Sequence, residues 1–209
     1  LKRFLDLTHG IPSHDTFGRV FGRLDAQQFE EVFMSWVQTV AEKTQGQVIA
    51  IDGKTVRRSH DQSLGKKAIH MVSAWASANR LVLGQVKVDE KSNEITAIPA
   101  LLRVLDLSGC IVTIDAMGCQ KEIAAQVIDQ EGDYVLAVKD NQPQLSEKIA
   151  KLFVHSRMPL SDLPSDDATR TEKGHGRLET RSCQVLDVRE WLYYLDTERA
   201  WAGLRSIVR

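Results

Sequence analysis

No stretch of this chain reaches the roughly 18 to 20 consecutive apolar residues that cross a bilayer, so no membrane partner is expected. The opening residues, Leu1-Lys2-Arg3-Phe4-Leu5-Asp6, lack the long apolar core of a signal peptide, and export is not expected. Cysteine is scarce: Cys110, Cys119 and Cys183 are odd in number and show no CxxC spacing. Neither a zinc site nor a disulfide framework is supported, and a reducing cytoplasm fits best. Charge of one sign is also lacking, since the formal net charge is −1 and gives no overall reason to expect a nucleic-acid partner. An initiator methionine is missing, and Ser206-Ile207-Val208-Arg209 reads as a strand cut short, so a fragment of a longer protein is expected.

Several catalytic signatures are missing too. Gly53-Lys54-Thr55 is no phosphate-binding P-loop, because that motif needs a glycine where Val48 stands. A haloacid-dehalogenase site needs a second aspartate where Lys54 stands. His9, His14, His60, His70, His155 and His175 have no metal-ligand spacing, and His70, inside an apolar run, reads as a core residue with a satisfied ring. No nucleophile-elbow motif nominates a serine.

What remains is an ordinary globular composition, 43% hydrophobic and 26% charged over 209 residues, enough for one core with a small appendage. Within it two apolar runs of strand type each end in an aspartate: Val48-Ile49-Ala50-Ile51-Asp52-Gly53 and Cys110-Ile111-Val112-Thr113-Ile114-Asp115. One such aspartate is usually a turn or cap residue. A pair at the tips of neighbouring strands repels unless cations sit between, and hard oxygen ligands favour Mg²⁺ or Mn²⁺. Two ions roughly 4 Å apart can activate an attacking oxygen and stabilise a leaving one at phosphorus. Local charge is compatible with a phosphate partner: Lys54, Arg57, Arg58, Lys66 and Lys67 stand against Asp61 alone, and Arg170, Lys173, Arg177 and Arg181 against Glu172 and Glu179.

The pattern along the chain predicts a helical segment at 1–45. Ser13 caps a short helix, and Asp25 caps a longer one whose Phe29, Val32, Phe33, Trp36, Val37 and Val40 form a core-facing stripe. Residues 46–155 predict strands at 47–52, 68–76 and 81–88, the last two a hairpin. A helix follows with Ile98, Leu101, Leu102 and Leu105 on one face, Thr96 as its cap and Pro99 tolerated in the first turn. Then come a strand at 110–115, a helix at about 119–130, a strand at 134–138 and a helix opened by Pro143. The order βββαβαβα gives a mixed sheet with the first strand central and the fourth beside it, the ribonuclease H-like α/β arrangement, which brings Asp52 beside Asp115. Residues 156–174 read as a polar loop and 177–188 as an extended hairpin arm.

The runs GIPSHDTFGRVF, IAIDGKTVRRS, VDEKSNEITAIPALL, TIDAMGCQKEIA, GDYVLAVKDNQPQL and KGHGRLETR occur in this order from about residue 9 to the end. Together they resemble the H-repeat-associated branch of insertion-sequence DDE transposases. The resemblance implies a ribonuclease H-like catalytic core at 46–155 that cleaves transposon ends and joins them to target DNA. It also implies an N-terminal transposase-associated segment at 1–45, a loop and β arm at 156–209, and a homodimer that handles two ends. By it, Asp52 and Asp115 match the first two metal-binding acids, and Lys54, Arg57, Arg58, Lys139, Asn141 and Arg177 become candidate DNA contacts. The third acid of such enzymes lies on a late helix in a Trp-Ile-Glu-Asn type of segment, which this chain does not contain. Glu179 is the best substitute within it, and it reads equally well as a salt-bridging or DNA-facing arm residue. Two further readings stay open: a truncated, inactive remnant that at most binds DNA, and a nuclease or resolvase of the same fold that cuts but never joins.

Overall fold

The computed structural model describes residues 7–8, 10–40, 47–55, 70–77, 81–88, 94–159, 161–174, 176–198 and 200–209. The chain divides into two compact units, Leu1–Glu42 and Lys43–Arg209.

The first unit holds α1 (His14–Phe21) and α2 (Ala26–Val40). Ser13 Oγ accepts the Thr16 N–H at 3.3 Å and Asp25 Oδ1 the Gln28 N–H at 2.9 Å, so both expected caps form. The aromatic stripe pairs along itself, with ring centroids 6.1 Å apart for Phe21–Phe29, 6.4 Å for Phe29–Phe33 and 5.9 Å for Phe33–Trp36. It is not a core face as expected: Phe29, Phe33 and Trp36 all stay exposed. Two short helices enclose too little volume to bury a face of that width.

The second unit is built on a mixed five-stranded sheet. Its strands are β1 (Val48–Thr55), β2 (His70–Ala76), β3 (Leu81–Val88), β4 (Ile111–Ile114) and β5 (Asp133–Leu136). Their order is β3-β2-β1-β4-β5, with β1 antiparallel to β2, β2 to β3, and β1, β4 and β5 mutually parallel. The apolar run at β1 forms the expected strand: Ile49 and Ile51 are buried while Asp52 is exposed. The helices α3 (Glu94–Arg103) and α4 (Lys121–Asp129) supply Ile98, Leu101, Leu102, Ile123, Ala124 and Val127 to the core. Thr96 lies inside the first turn of α3 rather than capping it. His70 is exposed, not buried, because it opens β2 at the sheet's end, where Nδ1 lies 3.0 Å from Thr55 Oγ1.

After β5 comes α5 (Pro143–His155), and then a second, three-stranded sheet of β6 (Ser165–Gly174), β7 (Arg177–Asp187) and β8 (Ser206–Val208). Half of the stretch expected to be loop is therefore strand. Polar residues on both faces of β6 hide any alternation, and it is exposed throughout, held by its ladder to β7 from Ser165↔Leu186 to Gly174↔Arg177. Between β7 and β8 lies the short helix α6 (Leu192–Leu195). Phe153, Leu186, Val188, Leu195 and Ile207 form a second core beneath this part.

One polar contact closes the 196–202 loop on itself and a second ties it to the main sheet. Buried Asp196 accepts the Trp201 N–H at 2.7 Å, and Tyr134 of β5 donates its hydroxyl to the Ala202 carbonyl at 2.7 Å. Burial, then Cys119 and Asp196, pushes the Tyr134 hydroxyl from 10.0 up to about 12. The unfolded phenol ionises near pH 10, before the folded one, so this contribution to stability is whole below pH 10 and is lost as pH rises towards 12. Urea midpoints measured across that window should fall more steeply for wild type than for Tyr134→Phe; equal slopes would contradict it.

Candidate active site

Parallel pairing brings the carboxyl ends of β1, β4 and β5 to one edge of the sheet, the place where open α/β sheets receive ligands. The β1–β4 ladder ends at Ile51↔Ile114, so Asp52 and Asp115 are the next residue on each of two adjacent parallel strands. Neighbouring strands run about 4.8 Å apart. From this point β1 continues against β2 alone, with Asp52 opposite Ser73. Asp52 thus sits where β1 parts from β4, which leaves its carboxylate open to solvent.

Each carboxylate is oriented by its own segment. Lys54, two residues on and therefore on the same face of β1, sets its ammonium 3.0 Å from Asp52 Oδ2. Asp115 follows β4 directly and caps the 3-10 turn Ala116–Gly118, with Oδ1 accepting the Met117 N–H at 3.2 Å. Gly118 lets that turn lie flat on the core: a Cβ there would meet Ile114 Cγ2 at 2.3 Å and Ile98 Cδ1 at 3.1 Å. From the end of β5, Ala137 N–H donates to the Ile114 carbonyl at 3.2 Å. Two hard carboxylates on adjacent strand ends, one of them already attracting an ammonium, suit a divalent ion such as Mg²⁺ or Mn²⁺.

The other expected residues fall in different places. Lys139 and Asp140 are exposed in the loop after β5. Asn141, a candidate DNA contact, is exposed and donates its amide to the Ala116 carbonyl. Arg177 opens β7 and is exposed. Arg57 and Arg58 lie outside the described residues, as do Lys66 and Lys67. Glu179, on exposed β7, is paired with Arg181 at 2.9 Å and stands opposite Glu172. Among the described residues no three His, Cys, Asp or Glu side chains gather as a metal site, so Glu179 does not complete a triad with Asp52 and Asp115. Glu179→Gln should leave Mn²⁺ affinity unchanged and cost under about 1 kcal/mol of stability, as exposed ion pairs do. A tenfold loss of Mn²⁺ affinity in a titration of that variant would restore it as a ligand.

Residues 43–198 match the Transposase DDE domain family, and residues 1–37 the family described as DDE_Tnp_1-associated. The chain belongs to the DDE transposase family. Over 207 residues it is 46% identical to "Putative transposase YncI" of Escherichia coli O157:H7, covering 99% of this chain and 52% of that protein. Over 210 residues it is 44% identical to "H repeat-associated putative transposase YhhI" of Escherichia coli K12, covering 99% and 54%. This DDE transposase chain thus spans about half the length of these curated relatives. A solved piggyBac transposase synaptic complex with hairpin DNA overlaps 69% of this chain and 30% of its own, at 11% identity and a TM-score of 0.36, too slight a likeness to bear on the site.

Two residues of the candidate site in this DDE transposase chain escape sequence reasoning. Gln142 sends its amide to the Cys119 carbonyl at 3.0 Å, and Gly118 lets the turn sit against Ile114 and Ile98. A small residue three positions after a strand-end aspartate was the available sign for Gly118. For Gln142 there was none, because its partner is 23 residues away.

Proposed function

We propose that this chain carries the metal-binding heart of a transposase that cleaves and joins DNA strands during movement of an insertion sequence. The observation that carries the proposal is the β1–β4 register, which makes Asp52 and Asp115 neighbours at one sheet edge. In this reading the five-stranded sheet is ribonuclease H-like, and Asp52 and Asp115 would together hold Mg²⁺ or Mn²⁺, two ions in all. Bound there, the metal supplies activation of the attacking oxygen and stabilisation of the leaving one at phosphorus.

The protein's own groups do the rest. Lys54, held to Asp52 by an exposed ion pair that costs little to break, is placed to hold a DNA phosphate. Lys139, Arg57, Arg58 and Arg177 hold the phosphate backbone, which makes binding fall steeply with salt. Two ends require two active centres, hence a homodimer, acting in the cytoplasm where the DNA is. Residues 1–45 form the associated helical segment, 46–155 the catalytic core and 156–209 a β arm along the DNA.

The test is nicking of supercoiled DNA by the chain with Mn²⁺. Nicked circles that vanish with EDTA and with Asp52→Asn support the proposal, whereas nicking that survives Asp52→Asn refutes it. One observation favours a second reading: no third acid joins the pair among the described residues. On that reading the chain retains DNA in a salt-dependent manner and never nicks it. A nuclease or resolvase would nick without ever joining ends.

A further inference from the structure

The loop between β5 and α5 grips the Asp115 turn with two side-chain amides. Asn141 Nδ2 donates to the Ala116 carbonyl, and Gln142 Nε2 donates to the Cys119 carbonyl at 3.0 Å. These carbonyls sit one and four residues after Asp115, at either end of the 3-10 turn it caps. The turn's internal bonds are few: Gly118 N–H to the Asp115 carbonyl and Cys119 N–H to the Ala116 carbonyl, each 3.1 Å. Such an isolated 3-10 turn has poor hydrogen-bond geometry and little stability of its own. The grip comes from an anchored base, because Gln142 is the residue before Pro143 at the start of α5. Its N–H donates to the Lys139 carbonyl at 2.9 Å and its carbonyl accepts the Ser146 N–H at 2.9 Å.

We infer that Asn141 and Gln142 are positioning residues that hold the Asp115 carboxylate at the metal site by fixing the turn it caps. The inference rests on the reading of Asp52 and Asp115 as metal ligands. The physical chain is short. The Asp115 carboxylate is aimed by its bond to the Met117 N–H, and that N–H faces the carboxylate only while the turn keeps its shape. Asn141 and Gln142 hold Ala116 and Cys119 by hydrogen bonds, and Gly118 lets the turn lie against Ile114 and Ile98. Neither amide needs to touch metal or DNA. Groups that orient a metal ligand in this way are worth about ten- to hundredfold in metal affinity.

The experiment uses the full chain, with wild type, Asn141→Ala, Asn141→Asp (the same shape without the donor), Gln142→Ala and Asp52→Asn. Mn²⁺ affinity is read by electron paramagnetic resonance, and the metal-free protein is followed by amide exchange at Met117 and by thermal melting. Asn141→Ala and Asn141→Asp should each lose about ten- to hundredfold in Mn²⁺ affinity. Both should speed Met117 exchange, with melting and DNA retention near wild type. Gln142→Ala gives the same pattern and serves should an Asn141 variant fail to fold. Unchanged Mn²⁺ affinity and unchanged Met117 exchange would overturn the inference. Weakened DNA retention with both of these unchanged would also overturn it, and would return Asn141 to the DNA. If Asp52→Asn binds Mn²⁺ as wild type does, it is the ligand assignment that fails, and Met117 exchange alone then judges the clamp.

Discussion

Asparagine at position 115 is expected to lower Mn²⁺-dependent nicking about 10²- to 10³-fold, the scale on which one preorganised charged group acts, with a melting temperature close to wild type. The substitution is chosen for what it keeps. Asn retains the side-chain oxygen that accepts the Met117 N–H, so the 3-10 turn stays capped. Alanine would remove that cap as well, at about 1 kcal/mol, and confuse folding with chemistry. What Asn removes is the negative charge that draws a hard cation to the end of β4. Asp52→Asn should act alike on nicking, since the two residues follow one another's register across adjacent strands. It also breaks the exposed ion pair with Lys54, a loss of less than about 1 kcal/mol. Nicking at the wild-type rate in either variant would remove the pair from the chemistry.

The second large effect is on stability. Gly118→Ala should lower stability by about 1 to 3 kcal/mol, as overpacking does, and the melting temperature by roughly 2 to 4 °C for each of those. The added methyl would lie 2.3 Å from Ile114 Cγ2 and 3.1 Å from Ile98 Cδ1. Ile114 sits in β4 directly before Asp115, while Ile98 is fixed in α3, so neither can move without disturbing the sheet or the helix on it. The carboxylate next in sequence to Ile114 shifts with it, and Mn²⁺ affinity should fall in the same variant. A wild-type melting curve for Gly118→Ala would show that the turn is free to lift off the core.

The central sheet was legible because its strands are half or fully buried. Ile49 and Ile51, and Val112 and Ile114, alternate with less buried neighbours, and each run stops at an aspartate. The helices α3, α4 and α5 were legible for the same reason, their apolar residues recurring at helical spacing. β6 was not: Ser165 to Gly174 has no buried side, so nothing in its pattern separates a strand from a polar loop. The N-terminal stripe misled in the opposite sense, since Phe29, Phe33 and Trp36 keep helical spacing yet remain exposed. At the site, Asp52 and Asp115 could be read because strand ends and carboxylates are local signals. Asn141 was read in the right loop, but its tie to Ala116 was not legible. Its amide meets Ala116, 25 residues earlier in the chain, and only the parallel neighbours β4 and β5 bring the two together. Glu179 was read as the best substitute for a third acid or as a salt-bridging arm residue, and two-residue spacing along β7 sets it beside Arg181.

The most direct test of the shared metal site is Mn²⁺ binding to the purified chain, compared among wild type, Asp52→Asn, Asp115→Asn and the double variant. The account predicts saturable binding in wild type and a large loss in each single variant. The double variant should lose little more than either single one, because the two carboxylates serve one site. Equal Mn²⁺ binding in wild type and both single variants would contradict it.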